Sequence, residues 1–178
     1  MAFNLVRSIA TLNYGKALKA GDRKEGCVPV YGSSGIVGTH NEALVPAGAI
    51  VVGRKGNVGS LYLSQVPCYP IDTVFYIAPE QVSLWLFLAL HQLKFISSDA
   101  AVPGLNRNYA HALPLLLPND EVRDSFQQLV GPMYEQINLL LKQNEQITCA
   151  RDLLLPKLMS GQLDVSQIPL PEEAEAAT

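Results

Sequence analysis

An apolar seam with a four-three rhythm runs from residue 126 to residue 158, and it constrains this chain more than any other feature. Phe126, Met133, Leu140, Ile147 and Leu154 form one heptad series. Val130, Ile137, Asn144, Arg151 and Leu158 form the other. A straight helix drifts against a seven-residue repeat, so such a stripe keeps facing one partner only when two helices wind round each other. The pattern predicts a globular part held at the end of a rod, with these seam positions facing a second helix; the alternative is that they pack against the chain's own domain.

The remaining 118 or so residues have room for one core. Short β-rich runs at 28–31, 50–52, 60–63, 72–77 and 113–117 predict strands separated by Gly/Pro loops. Pro79-Glu80 predicts the start of a helix reaching about Phe95, and 97–111 reads as loop. The fold class is α+β: a mixed, strand-rich domain over 1–118, then a long helix over 119–160. Asn119 or Asp120 is placed to cap that helix, and Asp120, Glu121 and Asp124 suit the positive end of its dipole. Gly131-Pro132 predicts a break, as a kink or a tight restart, because proline removes a backbone donor. From Pro132 to Met159 the helix would extend roughly 42 Å at about 1.5 Å per residue. Residues 161–178 read as a short strand or a disordered tail.

A net charge of −3 argues against a polyanion partner until it is resolved along the chain. Residues 1–60 hold seven Lys/Arg against three Asp/Glu, whereas residues 119–178 hold four against ten. A polyanion would meet the basic front and be repelled by the acidic back. Cys27, Cys68 and Cys149 are scattered and odd in number, which fits reduced thiols in the cytoplasm. The N-terminus shows no secretory pattern, and the longest apolar run is too short to span a bilayer.

The search for catalytic residues is mostly negative. His40, His91 and His111 have no ligand-spaced Cys or carboxylate, which leaves no expected metal site. The loop Gly53-Arg54-Lys55-Gly56-Asn57-Val58-Gly59-Ser60 departs from both glycine-rich nucleotide fingerprints. Its glycines can instead bring backbone close to another surface, with Arg54 and Lys55 adding charge and Asn57 an amide. Arginine suits guanine and asparagine suits adenine in the major groove. Tyr31-Gly32-Ser33-Ser34-Gly35 is a second candidate reader, and Asn106-Arg107-Asn108-Tyr109 a third. Each of these loops also makes sense as a plain surface turn.

The order VPVYGSSGIVGTHNEAL, IVVGRKGNVGSLYL, YPIDTVFYI, PGLNRNYAHALPLLLP, then a helix closing in ARDLLLPKLMSGQLDV, resembles the specificity subunit of type I restriction-modification enzymes. The resemblance runs from about Gly15 to Val165 and covers one target-recognition domain with one conserved helical region, half of the usual tandem arrangement. It implies a non-catalytic DNA-recognition subunit. Its partners would be double-stranded DNA, adenine methyltransferase subunits, a restriction/translocase subunit and a second copy of the chain. S-adenosylmethionine, ATP and Mg would be bound by partner subunits, so this chain itself is expected to hold no cofactor. Lys16, Lys19, Arg23 and Lys24 become candidates for phosphate contacts. Arg54, Lys55, Asn57, Tyr31, Ser33 and Ser34 become candidates for the groove, and Arg107 and Asn108 for either. A parallel helix pair would crowd two domains at one end, whereas an antiparallel pair separates them and brings the two copies of Asn144 together. Two other readings remain open: a metal-dependent nuclease using Asp72, Glu80 and Lys94, or an assembly module presenting acids such as Asp124, Glu135 and Glu145 to protein partners.

Overall fold

The computed structural model describes residues 2–97 and 104–163. Pro103 and positions 164–178 of the expected tail lie outside the described residues. The chain divides into a unit spanning 1–128 and a unit spanning 129–178, with the boundary inside the long helix.

The first unit is built round β5 (Ala49–Gly53), the run AIVVG, in which every residue is buried. It lies inside a four-stranded sheet between β6 (Leu61–Ser64) and β8 (Val74–Ile77), with β2 (Asn13–Tyr14) on the far side of β8. Every pairing in this sheet is antiparallel, with Val52 opposite Phe75 and Val51 opposite both Tyr62 and Tyr76. A strand covered on both faces reads as a continuous apolar run rather than as an alternation. One face of β5, Ala49 and Val51, joins Val74, Tyr31, Val45 and Cys68 in a single buried cluster. Each large side chain so buried contributes about 1.5–3 kcal/mol.

A second sheet supplies Tyr31. Strands β3 (Val28–Gly32) and β4 (Gly35–His40) form a hairpin with Gly32 opposite Gly35, so the turn itself is only Ser33-Ser34. Gly35, the first residue after the turn, has φ +99°, a backbone state that glycine adopts without strain. Strand β3 also pairs in parallel with β7 (Tyr69–Pro70). The sequence places residues 32–35 wholly in a loop, whereas the outer two close the ladder.

Three further expectations change. The helix expected from Pro79 to about Phe95 is a short 3₁₀ turn, Pro79–Gln81, followed by α2 (Leu84–Leu90). Val82 and Ser83 are extended between them, and the Ser83 hydroxyl caps the restart by accepting from the Leu86 amide at 3.1 Å. The expected loop over 97–111 contains α3 (Arg107–Ala112), capped by Asn106, whose side chain accepts from the Asn108 and Tyr109 amides. The N-terminus, given no element from sequence, forms β1 (Ala2–Leu5) and α1 (Val6–Ile9). Strand β1 pairs antiparallel with β9 (Pro114–Leu117), more than a hundred residues away.

The long helix is α4 (Asp120–Met159), 40 residues with Pro132 and Pro156 inside it. Asn119 supplies the cap, its side chain accepting from the Val122 amide at 3.2 Å. The expected break at Gly131-Pro132 is not an end of helix. Proline forfeits one hydrogen bond, and Gly131 before it lacks the Cβ that would otherwise clash with the ring. Gly161, at φ +72°, follows the last turn as a C-terminal cap. Among the described residues, no helix is long and apolar enough to cross a membrane.

Candidate nucleic-acid interface

The glycine loop after β5 is folded tightly on itself. The Gly53 amide donates to the Ser60 carbonyl at 2.7 Å, and the Gly59 amide donates to the Gly53 carbonyl at 2.9 Å. A Cβ on Gly53 would overlap the Asn57 carbonyl and Ser60 Oγ, so glycine is required for this closure. The loop is anchored below, where the Arg54 and Lys55 amides both donate to the Thr73 carbonyl at 2.9 and 3.0 Å.

The other two candidate loops meet this one. The Ser60 hydroxyl lies 2.6 Å from the Ser33 carbonyl, and Tyr62 Oη donates to the same oxygen at 3.3 Å. The Ser33-Ser34 turn is thereby tied to the glycine loop. From the opposite side in sequence, the Leu105 amide donates to the Arg54 carbonyl at 2.7 Å, and Lys55 bridges to Gly104. These backbone bonds carry the segment leading into α3 alongside Arg54. Residues 33–34, 53–60 and 104–108 therefore form one neighbourhood.

Its charge is concentrated and held. The Arg54 guanidinium carbon lies 4.9 Å from the centre of the Tyr14 ring and 5.6 Å from that of Phe75, and Nη1 donates to the Asp72 carbonyl at 3.2 Å. The Arg107 guanidinium lies 4.8 Å from the same Tyr14 ring. Lys55 Nζ is 3.6 Å from the Asp72 carboxylate, with both side chains about half exposed. A surface pair of this kind is worth about 0–1 kcal/mol and can be exchanged for another anion. Asn57, Ser34 and Asn108 are exposed at the rim. Tyr14 was not singled out from sequence, where a lone tyrosine before Gly15-Lys16 carries no signal of stacking.

Other candidates stand elsewhere. Tyr31 is only 8% exposed, in the cluster with Cys68 and Val74, so its ring is a core residue and not a groove contact. Burial pushes both the Tyr31 hydroxyl and the Cys68 thiol above their ordinary pKa values, partly opposed by Ser64. Arg23 is half-buried and donates Nη1 to the Val37 carbonyl at 2.6 Å, which fastens the segment before β3 onto β4. Lys19 and Lys24 are exposed on either side of the 3₁₀ turn Ala20–Asp22, and Lys16 is exposed just past β2. No contact joins these three lysines to the arginine cluster among the described residues.

Two of the three histidines accept hydrogen bonds from backbone amides. His40 Nδ1 accepts from the Lys24 amide, and His111 Nε2 accepts from the Leu12 amide, each at 3.0 Å. Burial, with the nearby Arg107 and Arg7 charges, holds His111 below its ordinary pKa. No group of three or more His, Cys, Asp or Glu that could hold a metal occurs among the described residues. Asp72, a candidate of the nuclease reading, has its carboxylate against Lys55.

In the second unit the seam lies open. Met133, Ile137, Leu140, Ile147, Leu154 and Leu158 are 40–66% exposed. Asn144 and Arg151 are exposed beside them, and Arg151 is turned to its neighbour Asp152 at 2.7 Å. Leu139, Leu141, Leu153 and Leu155 are exposed too, so the apolar arc is wider than the two heptad series. Phe126 and Val130 are half-buried.

The family model described as the type I restriction modification DNA specificity domain matches residues 6–148. The type I restriction enzyme HindI specificity subunit of Haemophilus influenzae is 29% identical over 128 residues, covering 67% of this chain and 28% of that protein. The crystal structure of the type I restriction-modification system S subunit from M. genitalium superposes with a TM-score of 0.74 over 89% of this chain and 46% of the other. At 15% identity that match speaks for the fold alone. The chain thus spans less than half the length of either relative. With its strand-rich head, long helix and matched residues taken together, this chain belongs to the type I restriction modification DNA specificity domain family.

Proposed function

We propose that this chain is the sequence-reading part of a type I restriction-modification specificity subunit and performs no chemistry of its own. The carrying observation is the convergence of Arg54 and Lys55 from one segment with Arg107 from another, with Ser34, Asn57 and Asn108 exposed at their margin. Cations with planar forks beside exposed amides and hydroxyls suit a duplex groove, where arginine recognises guanine and asparagine adenine. Lys16, Lys19 and Lys24 suit phosphates flanking that contact.

The exposed seam supports self-association. Leucine and isoleucine left half in water on a long helix are covered when a second copy packs against them. Antiparallel pairing separates the two heads and brings the copies of Asn144 near one another, where a paired amide sets register. The dimer then reads a two-part target related by two-fold symmetry, with the helix as spacer. Apolar residues flanking the seam, with Glu135 and Glu145, leave a surface for adenine methyltransferase subunits. Those subunits supply S-adenosylmethionine chemistry, and a restriction/translocase subunit supplies ATP and Mg chemistry. This chain holds no cofactor and works in the cytoplasm.

Mapping adenine methylation in cells that express this chain with its partner methyltransferase tests the reading. A symmetric two-part adenine motif is expected. Methylation without any motif, or an unchanged methylome, overturns it.

A further inference from the structure

We propose that Tyr14 is a positioning residue: it sets the spacing of Arg54 and Arg107, so that the two guanidinium groups read neighbouring guanine-containing base pairs as one unit. This rests on the DNA-recognition reading and adds a residue to it that makes its contribution through others.

The three side chains come from β2, from the loop after β5 and from the first residue of α3. Among the described residues only the Tyr14 ring is shared, with one guanidinium carbon 4.9 Å and the other 4.8 Å from its centre. The ring is itself held. Tyr14 is paired with Phe75 across the β2–β8 ladder, and the two rings meet edge to face at 5.0 Å. Phe75 is fully buried while Tyr14 remains 49% exposed, so a fixed base carries an accessible platform. Arg54 is further constrained through both its amide and its carbonyl, bonded to Thr73 and Leu105.

Like charges repel, so two free arginine side chains would spread apart. The negative face of an aromatic ring offsets that repulsion and holds both cations near it. A guanidinium held near a ring keeps N–H groups that can still donate. Arg54 commits Nη1 to the Asp72 carbonyl, and among the described residues none accepts a hydrogen bond from the Arg107 guanidinium. Paired edge donors are what guanine O6 and N7 accept.

The shared ring also limits reach. Two carbons each within 5 Å of one point lie no more than about 10 Å apart. Successive base pairs are spaced by about 3.4 Å, so the two arginines address positions within about three steps. Preorganisation matters because a flexible arginine must give up side-chain freedom at each binding event.

The test compares methylation motifs in cells that carry the partner methyltransferase and either the wild-type chain or a variant. For Tyr14→Leu, methylation at sites mismatched at the clustered positions should rise about five-fold or more relative to the matched site. The rest of the motif should stay unchanged. Tyr14→Phe keeps the ring and should restore the wild-type motif, which a role for the hydroxyl would not. Arg54→Gln and Arg107→Gln should each relax positions no more than about three base pairs apart. An unchanged motif in Tyr14→Leu overturns the proposal, as does failure of Tyr14→Phe to restore it. If Tyr14→Leu loses methylation altogether, the arginine variants decide: relaxed positions lying far apart, or no relaxation, overturn it. Absence of any wild-type motif removes the DNA-recognition reading instead.

Discussion

Ile50-Val51-Val52 and Leu139-Leu140-Leu141 are equally apolar triplets with opposite surroundings. The first is completely buried, while the second is 48–56% exposed. In the head, sheet neighbours on both sides and packed side chains above and below take β5 out of water. On α4, the described residues leave the triplet about half in water. The contrast teaches that hydrophobicity is used twice here. In one region it is packed into a core, and in the other it is left half exposed, which is the basis of the proposed self-association.

The comparison can be broken at either end. The largest expected effect is in the head: Phe75→Ala should cost about 3–5 kcal/mol of unfolding free energy in urea. It should do so because Phe75 is fully buried and also supports Tyr14. A loss under about 1 kcal/mol would mean that the core does not depend on β8. Next comes the helix. The double substitution Ile137→Asp/Leu140→Asp should raise the dimer dissociation constant at least about 100-fold in sedimentation analysis, roughly 3 kcal/mol. The melting of the head should be untouched. Wild-type chain that sediments as a monomer at micromolar concentration would end the reading of the seam as a self-association surface.

The smallest effect sharpens the contrast through pH. The His111 pKa is lowered in the folded head, chiefly by burial and then by Arg107 and Arg7. Protonation therefore favours the unfolded chain. The stability contributed by neutral His111 is fully present above about pH 6.5 and falls as pH drops through the folded value. The acceptor role of Nε2 towards the Leu12 amide is lost in the same window. Melting curves from pH 8 to pH 5 should show a downward step in this range that His111→Gln reduces. The α4 helix contains no histidine and should show no such step.

Legibility in the sequence followed the range of the interactions. The β5 run and the seam were readable because a period or a composition over a few residues reports them. Asn119 was readable as a cap because the bond it makes spans three residues. The split at Ser83 carried a local signal as well, a serine directly before an apolar stretch, but the flanking apolar residues masked it. Asn106 before Arg107-Asn108-Tyr109 offered the same kind of signal for α3. Tyr31 was misplaced because a tyrosine beside a glycine turn looks the same in sequence whether its ring points inward or outward. The candidate loops were each visible. Their meeting was not, since it depends on backbone bonds such as Leu105 to Arg54 between segments about fifty residues apart.

The sequence by itself determined the α+β class, the long helix, the heptad spacing of its apolar residues and the loops rich in glycine and charge. Each is a matter of spacing or composition within a short stretch, and local physics suffices for it. Only the tertiary structure decided that β1 pairs with β9, that Arg23 is fastened to β4, and that Tyr14 lies against both Arg54 and Arg107. Those outcomes depend on which distant segments pack together, and packing is a property of the whole core rather than of any one stretch of chain.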